Sequence, residues 1–240
     1  MELTGRVALV TGGAVRIGRA IVEALAARGC GVAIHYRSSA TEARVLAAAV
    51  RAAGGRAWVV RGALNGAADG ARLLRRARRL AGRLDIVVNN AARYSRFPLR
   101  ETTPAALAAE FGTNLFAPFG LTSAFANQGG RGVVINLLDR RIAANQPGAC
   151  VYTLTKMALA EFTRLAALEL APLIRVNAVA PGPVLPPPGK GESWLREKAG
   201  VIPLGARPTA AQVAEAVLAL VRMESVTGQV LYVDGGQHLL

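Results

Sequence analysis

Short runs of β-branched and aliphatic residues alternate along this chain with longer alanine- and leucine-rich stretches, and that alternation restricts the fold more than any other feature. The runs at 7–10, 31–36, 57–61, 85–89, 132–137, 175–179 and 230–233 have the length and apolar continuity of strands covered on both faces. Between them, 17–28, 40–53, 66–81, a pair within 104–127, 151–170 and 209–223 read as helices. Right-handed crossovers between such units favour an α/β fold, a doubly wound parallel Rossmann sheet of about seven strands with helices on both faces. With 240 residues, 52% of them hydrophobic, the chain can bury one substantial core, so a single domain over 1–240 is expected.

One stretch breaks the pattern. Residues 181–208 are rich in proline and glycine, including Pro186, Pro187 and Pro188. They follow the sixth strand, at the carboxyl edge of the sheet where ligands of such folds bind. A loop this long is usually functional, so a substrate lid with a short helix near 193–198 is expected, the alternative being a disordered insert.

The formal charge of +14 raises the question of nucleic acid. Lysine stands only at 156, 190 and 198, and the arginine excess is scattered. In its densest run, Arg72, Arg75, Arg76, Arg79 and Arg83 share one helical face, with Arg78 beside them, while Leu73, Ala77, Leu80 and Leu84 share another. That is a solvated basic surface helix, without the interleaved aromatics of a single-strand stacking surface. No nucleic-acid partner is expected. Cys30 and Cys150 cannot build a disulfide framework, and with only His35 and His238 to add imidazole no metal site is expected either. No uncharged apolar run is long enough to span a membrane, and the first strand starts almost at Met1, leaving no room for a signal peptide. A cytoplasmic chain is the expectation.

The first strand runs into Thr11-Gly12-Gly13-Ala14-Val15-Arg16-Ile17-Gly18 and then a helix. A glycine turn in this position brings backbone N–H groups and a helix N-terminus against a pyrophosphate. The second strand ends in Tyr36-Arg37-Ser38-Ser39, where an NAD site wants a carboxylate for the ribose hydroxyls. The first acid is Glu42; Arg37, Ser38 and Ser39 instead suit a 2′-phosphate, with Arg16 in reach, so NADPH is the expected cofactor. Further on, Asn89-Asn90-Ala91-Ala92 closes the fourth strand, Asn114 lies in the next helix, and Tyr152 and Lys156 share one helical face at i and i+4. An ammonium there can lower the phenol pKa and tune it for proton donation.

These residues together resemble the short-chain dehydrogenase/reductase family over essentially the whole chain, through to Thr227-Gly228 and Val233-Asp234-Gly235-Gly236. The resemblance implies that Tyr152, Lys156 and Asn114 are catalytic, with Lys156 on the nicotinamide ribose and Asn114 anchoring a relay water. It also implies a cofactor lined by Gly12, Arg16, Ile17 and Gly18 at the turn and by Tyr36 through Ser39 at the adenosine end. Leu64, Asn90, Ala91 and Ala92 would complete that wall, and Pro181, Gly182 and Val184 would close over it. A homotetramer is implied, with the 151–170 helix and the carboxyl-terminal segment at subunit contacts.

Two departures are more specific. Arg16 stands where the family has its middle glycine, and Asp139 where it has a serine, thirteen positions before Tyr152. Both resemble the pteridine reductase branch and its dihydromonapterin reductase relatives, as do the stretch from His35 to Ala40, the phrase Ile174-Arg175-Val176-Asn177 and the chain's ending. In that branch the aromatic four places after Asn90, here Tyr94, stacks on the pterin, so Arg16, Tyr94, Asp139 and Tyr152 are the implied substrate contacts. Reducing a pterin C=N bond needs a proton on a ring nitrogen, which a buried carboxylic acid of raised pKa can supply. Asp139 can deliver it through Tyr152 or a water, can bind a cationic nitrogen as the ionised form, or can merely cap a loop. The family's adenine-contacting acid is Ala63 here, and its pyrophosphate threonine is Pro186. NADPH-dependent reduction of dihydropterins or dihydrofolate is thus the expected activity. The alternatives are a general carbonyl or 3-oxoacyl thioester reductase and a non-catalytic NADPH sensor.

Overall fold

Seven of the apolar runs form strands: β1 (Val7–Val10), β2 (Gly31–Tyr36), β3 (Ala57–Arg61), β4 (Ile86–Asn89), β5 (Gly132–Leu137), β6 (Ile174–Pro181) and β7 (Val230–Val233). The computed structural model describes residues 1–240 except Phe97, Ala144, Asn145, Gln146, Pro188 and the side chain of Lys198. The strands make one parallel sheet in the order β3-β2-β1-β4-β5-β6-β7. The chain reverses direction across the sheet between β1 and β4, which opens a crevice at their carboxyl ends. This is the expected doubly wound arrangement. β6 runs on through Pro181 because that residue still pairs with Val233 of β7.

Alternation along each strand divides the core between two helical layers. Ala8 and Val10 pack with α1 (Arg16–Ala26), α2 (Ala40–Ala52) and α8 (Ala210–Arg222). Val7 and Leu9 face α3 (Ala67–Ala81), α5 (Ala117–Ala126) and α6 (Cys150–Leu170). On α3 the buried side is Leu73, Leu74 and Ala77, and Arg72, Arg75, Arg76, Arg78 and Arg79 are exposed. Two details of the expected face are corrected. Leu80 is 48% exposed, and Arg83 lies beyond the helix, past the turn at Gly82, where it pairs with the buried Asp85 at 2.5 Å.

α4 (Pro104–Phe111) starts at a Thr103 cap with proline in the first turn, and it joins α5 through a π-helical turn at Gly112–Phe116. The phrase around Arg175 proves structural: its guanidinium donates to Leu220 O, Val221 O and Val226 O, tying the end of α8 to β6. The 181–208 segment, of which Pro188 lies outside the described residues, contains α7 (Glu192–Lys198) with Leu195 and Ala199 buried. Gln237 Nε2 donates to Ala199 O at 2.6 Å and Val201 O at 2.8 Å. The described part of the expected lid is therefore anchored to the carboxyl-terminal segment. No described helix is long and apolar enough to cross a membrane.

Candidate active site

The crevice is built by side chains that bind β1 to β4. Thr11 Oγ1 accepts the N–H groups of Asn90 and Ala91, both at 2.9 Å. Asn90 Nδ2 returns bonds to Thr11 O at 2.8 Å and Gly12 O at 3.2 Å. Gly12 sits at φ +61°, and a Cβ on Gly18 would lie 2.2 Å from Gly12 O, so the turn closes only without side chains at these points. Arg16 adopts φ +57°, a left-handed conformation that glycine takes freely, and this explains why the family has glycine at that position. Its guanidinium donates to Leu185 O at 3.4 Å, reaching the segment after β6.

His35, read from the sequence as a candidate imidazole ligand and as part of the stretch to Ala40, braces the turn. Gly12 N donates to its Nδ1 at 3.0 Å, and its Nε2 faces Gly62 O at 3.2 Å. Since Nδ1 is an acceptor, Nε2 carries the proton. The only sequence signal was a polar residue inside an apolar strand.

The crevice is a cavity of ≈ 510 Å³. Gly12, Arg16, Ile17 and Gly18 form one wall, and Tyr36, Arg37, Ser38 and Ser39 form the far end. Leu64, Asn90, Ala91, Ala92 and Tyr152 complete it, joined by Ala14, Val15, His35, Arg93 and Thr113, which were not expected. No carboxylate is among these lining residues. Beyond the far end, Arg37 and Ser38 continue into a groove shared with Arg61, Ala63 and Arg76. Pro181, Gly182 and Val184 do not line the cavity. Pro181 is in the sheet, Gly182 is pressed against Asp234, and Val184 joins the core.

Lys156 is also off the wall: its Nζ donates to Leu137 O at 2.6 Å, 5.7 Å from the Tyr152 ring centre. The phenol of Tyr152 donates to Asp139 Oδ2 at 3.1 Å. Asp139 Oδ1 meanwhile accepts Arg141 N at 2.9 Å, capping the short 3₁₀ turn Arg140–Ile142. The loop-capping and tyrosine-partner roles therefore coexist. Asp139 is only half-buried.

The electrostatics reverse one expectation. Burial, then the Asp139 charge and hydrogen bond, push the Tyr152 phenol well above its ordinary value. Lys156 does not reverse this; burial pushes its own ammonium down to about 8, against the opposing pull of Asp139 and Glu110. Tyr94 stands edge-on to Tyr152, ring centres 4.8 Å apart at 87°. Arg141 Nη1 donates to the Tyr94 hydroxyl at 3.1 Å, with the guanidinium carbon 5.4 Å over the ring. Asn114, in the π-helical turn, is buried and binds the Arg93 backbone and Thr155 Oγ1.

Comparison with known proteins agrees with this geometry. A family model described as enoyl-(acyl carrier protein) reductase matches residues 12–238. Pteridine reductase 1 of Leishmania tarentolae is 34% identical, covering 98% of this chain and 97% of that protein. A putative ketoacyl reductase of the granaticin polyketide synthase of Streptomyces violaceoruber is 36% identical over 98% of this chain and 96% of its own length. The crystal structure of FolM alternative dihydrofolate reductase 1 from Brucella canis, complexed with NADP, superposes with a TM-score of 0.92 at 36% identity, covering 100% of this chain and 97% of that one. With the glycine turn, the Tyr152–Lys156 pair and Asp139 in place of a serine, the chain belongs to the short-chain dehydrogenase/reductase family, in its pteridine reductase-like branch.

Proposed function

We propose that this oxidoreductase uses NADPH to reduce a dihydropterin or dihydrofolate to its tetrahydro form. The observation that carries the reading is the Tyr152–Asp139 hydrogen bond beneath the edge-on Tyr94. The cavity fits the cofactor: its glycine turn leads into the N-terminus of α1, and Arg37, Ser38 and Ser39 stand at the far end to meet a 2′-phosphate with no carboxylate on the wall. NADPH, when bound, supplies the hydride. Tyr152, kept protonated by its raised pKa, gives its proton to the ring nitrogen. Asp139 orients that O–H and is the route by which the phenol regains a proton. Asn114 fixes the loop that carries Tyr94, and Arg16 and Tyr94 face the flat ring.

The similarity to a putative ketoacyl reductase favours a second reading, reduction of carbonyl or 3-oxoacyl thioester substrates. The two are separated by following NADPH absorbance with dihydrobiopterin, dihydromonapterin, dihydrofolate and an acetoacetyl thioester. Pterin turnover should fall by about 10²-fold or more in both Tyr152→Phe and Asp139→Ala. Thioester turnover that survives Asp139→Ala would overturn the pterin reading, and tight NADPH binding without any turnover would point to a sensor.

A homotetramer accompanies this reading. Leu154, Leu165 and Leu168 of α6 and Leu239 and Leu240 at the carboxyl end are exposed apolar side chains that a partner subunit would cover. Analytical ultracentrifugation should return four times the 25.0 kDa chain mass; a monomer would refute it.

A further inference from the structure

Tyr94 lies in the loop after β4, yet the residues on both sides of it are tied to one helical segment. On one side, Asn114 Oδ1 accepts Arg93 N and its Nδ2 donates to Arg93 O, both at 2.8 Å. On the other, Ser95 N donates to Glu110 Oε1 at 2.6 Å. Glu110 is in the last turn of α4 and is 1% exposed. Its Oε2 has no hydrogen-bond partner among the described residues.

A buried carboxylate is costly, and leaving half of it unpaired adds to the cost. The rest of α4, Pro104 to Leu107 with Ala108, Ala109 and Phe111, is apolar, so packing alone would accept an aliphatic residue here. Besides its charge acting on Lys156, this carboxylate makes the bond to Ser95, which an aliphatic side chain cannot make. Glu110 and Asn114 stand four residues apart and reach the loop one residue after and one residue before Tyr94, respectively. The aromatic ring is thereby held between two fixed peptides, edge-on to Tyr152.

We propose that Glu110 is a positioning residue, which sets the placement of Tyr94 over Tyr152 through the Ser95 peptide and so governs how tightly a flat heteroaromatic substrate is held. The substrate class rests on the pterin reading above; the coupling of Glu110 to Tyr94 does not. Glu110 acts through the loop and touches neither substrate nor cofactor.

The test is a double-mutant cycle in the full chain. Glu110→Met keeps the volume and removes the acceptor, and Glu110→Gln keeps an acceptor oxygen. Each is made in the wild-type and Tyr94→Ala backgrounds, and KM and kcat for dihydrobiopterin are measured at saturating NADPH. The orphaned Ser95 N–H should raise KM about tenfold in Glu110→Met, with kcat and the NADPH dissociation constant little changed. Glu110→Gln should stay within about twofold of wild type, and in the Tyr94→Ala background Glu110→Met should add less than about twofold. An equal effect in both backgrounds, or no effect on KM, overturns the proposal. If Glu110→Met does not fold, Ser95→Pro removes the N–H from the other side and should raise KM in the same way; an unchanged KM there also overturns it. Should dihydrobiopterin not be turned over, the pterin reading fails by itself. The same cycle on an acetoacetyl thioester then still decides whether Glu110 works through Tyr94.

Discussion

Acid should destabilise this protein through one imidazole. His35 is 2% exposed and spans from Gly12 N to Gly62 O, so a proton added at Nδ1 would face the Gly12 N–H that now donates to it. Burial holds its pKa down at about 4, with the Gly62 carbonyl offsetting part of the penalty. An unfolded histidine titrates near 6.5. The folded value is thus the lower one, and as pH falls the unfolded chain takes up the proton first. The contribution of His35 is fully present above about pH 6.5 and is lost between there and about 4, at about 1.4 kcal/mol per pH unit, or roughly 3 kcal/mol in all. In a chain of this size that is on the order of 6–12 °C in Tm.

Carboxylates also titrate in that window, so the diagnostic quantity is a difference. Glutamine offers one acceptor and one donor without a titrating group, and His35→Gln should flatten the curve. Urea unfolding followed by circular dichroism at several pH values from 7.5 to 4.5 measures it. The gap between wild type and variant should change by about 3 kcal/mol from one end to the other. Curves that run parallel to within about 0.5 kcal/mol would refute the assignment of His35 as a neutral brace.

Gly18→Ala would place a methyl 2.2 Å from Gly12 O and 2.6 Å from Asn90 Nδ2. Overpacking of about 1–3 kcal/mol and a clear loss of NADPH affinity should follow, measured by melting and by nicotinamide fluorescence. Gly66→Ala, with open space around it, is the control and should change neither. Arg37→Ala should weaken NADPH by about tenfold or more and leave NADH nearly unchanged, since only the 2′-phosphate bond is lost; equal effects on both cofactors would contradict the assignment. Lys156, held down at about 8 by burial, should lose its charge on the alkaline side, so NADPH-dependent turnover should fall as pH rises through that value. A rate that stays flat to pH 10 would contradict this.

The parts of the fold that were legible in the sequence are those where one local signal decides the outcome. Strands covered on both faces appear as apolar runs, so β1, β2, β3, β5 and β7 were found at the residues where they occur. The end of β6 was not, because pairing with β7 carries it through Pro181. The π-helical turn at Gly112–Phe116 was not, because spacing does not disclose that Asn114 is drawn inward by the Arg93 peptide. In the site, motif order identified the cavity wall from Gly12 to Ala92. Pro181, Gly182 and Val184 stand outside that lining, where pairing with β7 and packing against the residues after it place them. Glu110 and His35 shared one weak signal, a single polar residue inside an apolar element, which marks a buried partner without saying which.

The same limit explains the tyrosine. An i, i+4 spacing shows that Tyr152 and Lys156 are neighbours, but not which field dominates at the phenol oxygen. Lys156 spends its short hydrogen bond on Leu137 O, whereas Asp139 accepts the phenol proton directly. Replacing a serine hydroxyl by Asp139 therefore changes more than one side chain. A serine would add a second donor beside the phenol, the arrangement that stabilises a developing alkoxide. Asp139 supplies an acceptor instead and raises the phenol pKa, so within this pair the phenol is the donor. One donor beside a carboxylate is poorly matched to an oxyanion, which the negative charge would repel. It is well matched to a ring nitrogen that gains a proton and carries no negative charge afterwards. This is the physical reason to read Asp139 as a choice of substrate chemistry, and why its removal separates the pterin reading from the carbonyl one.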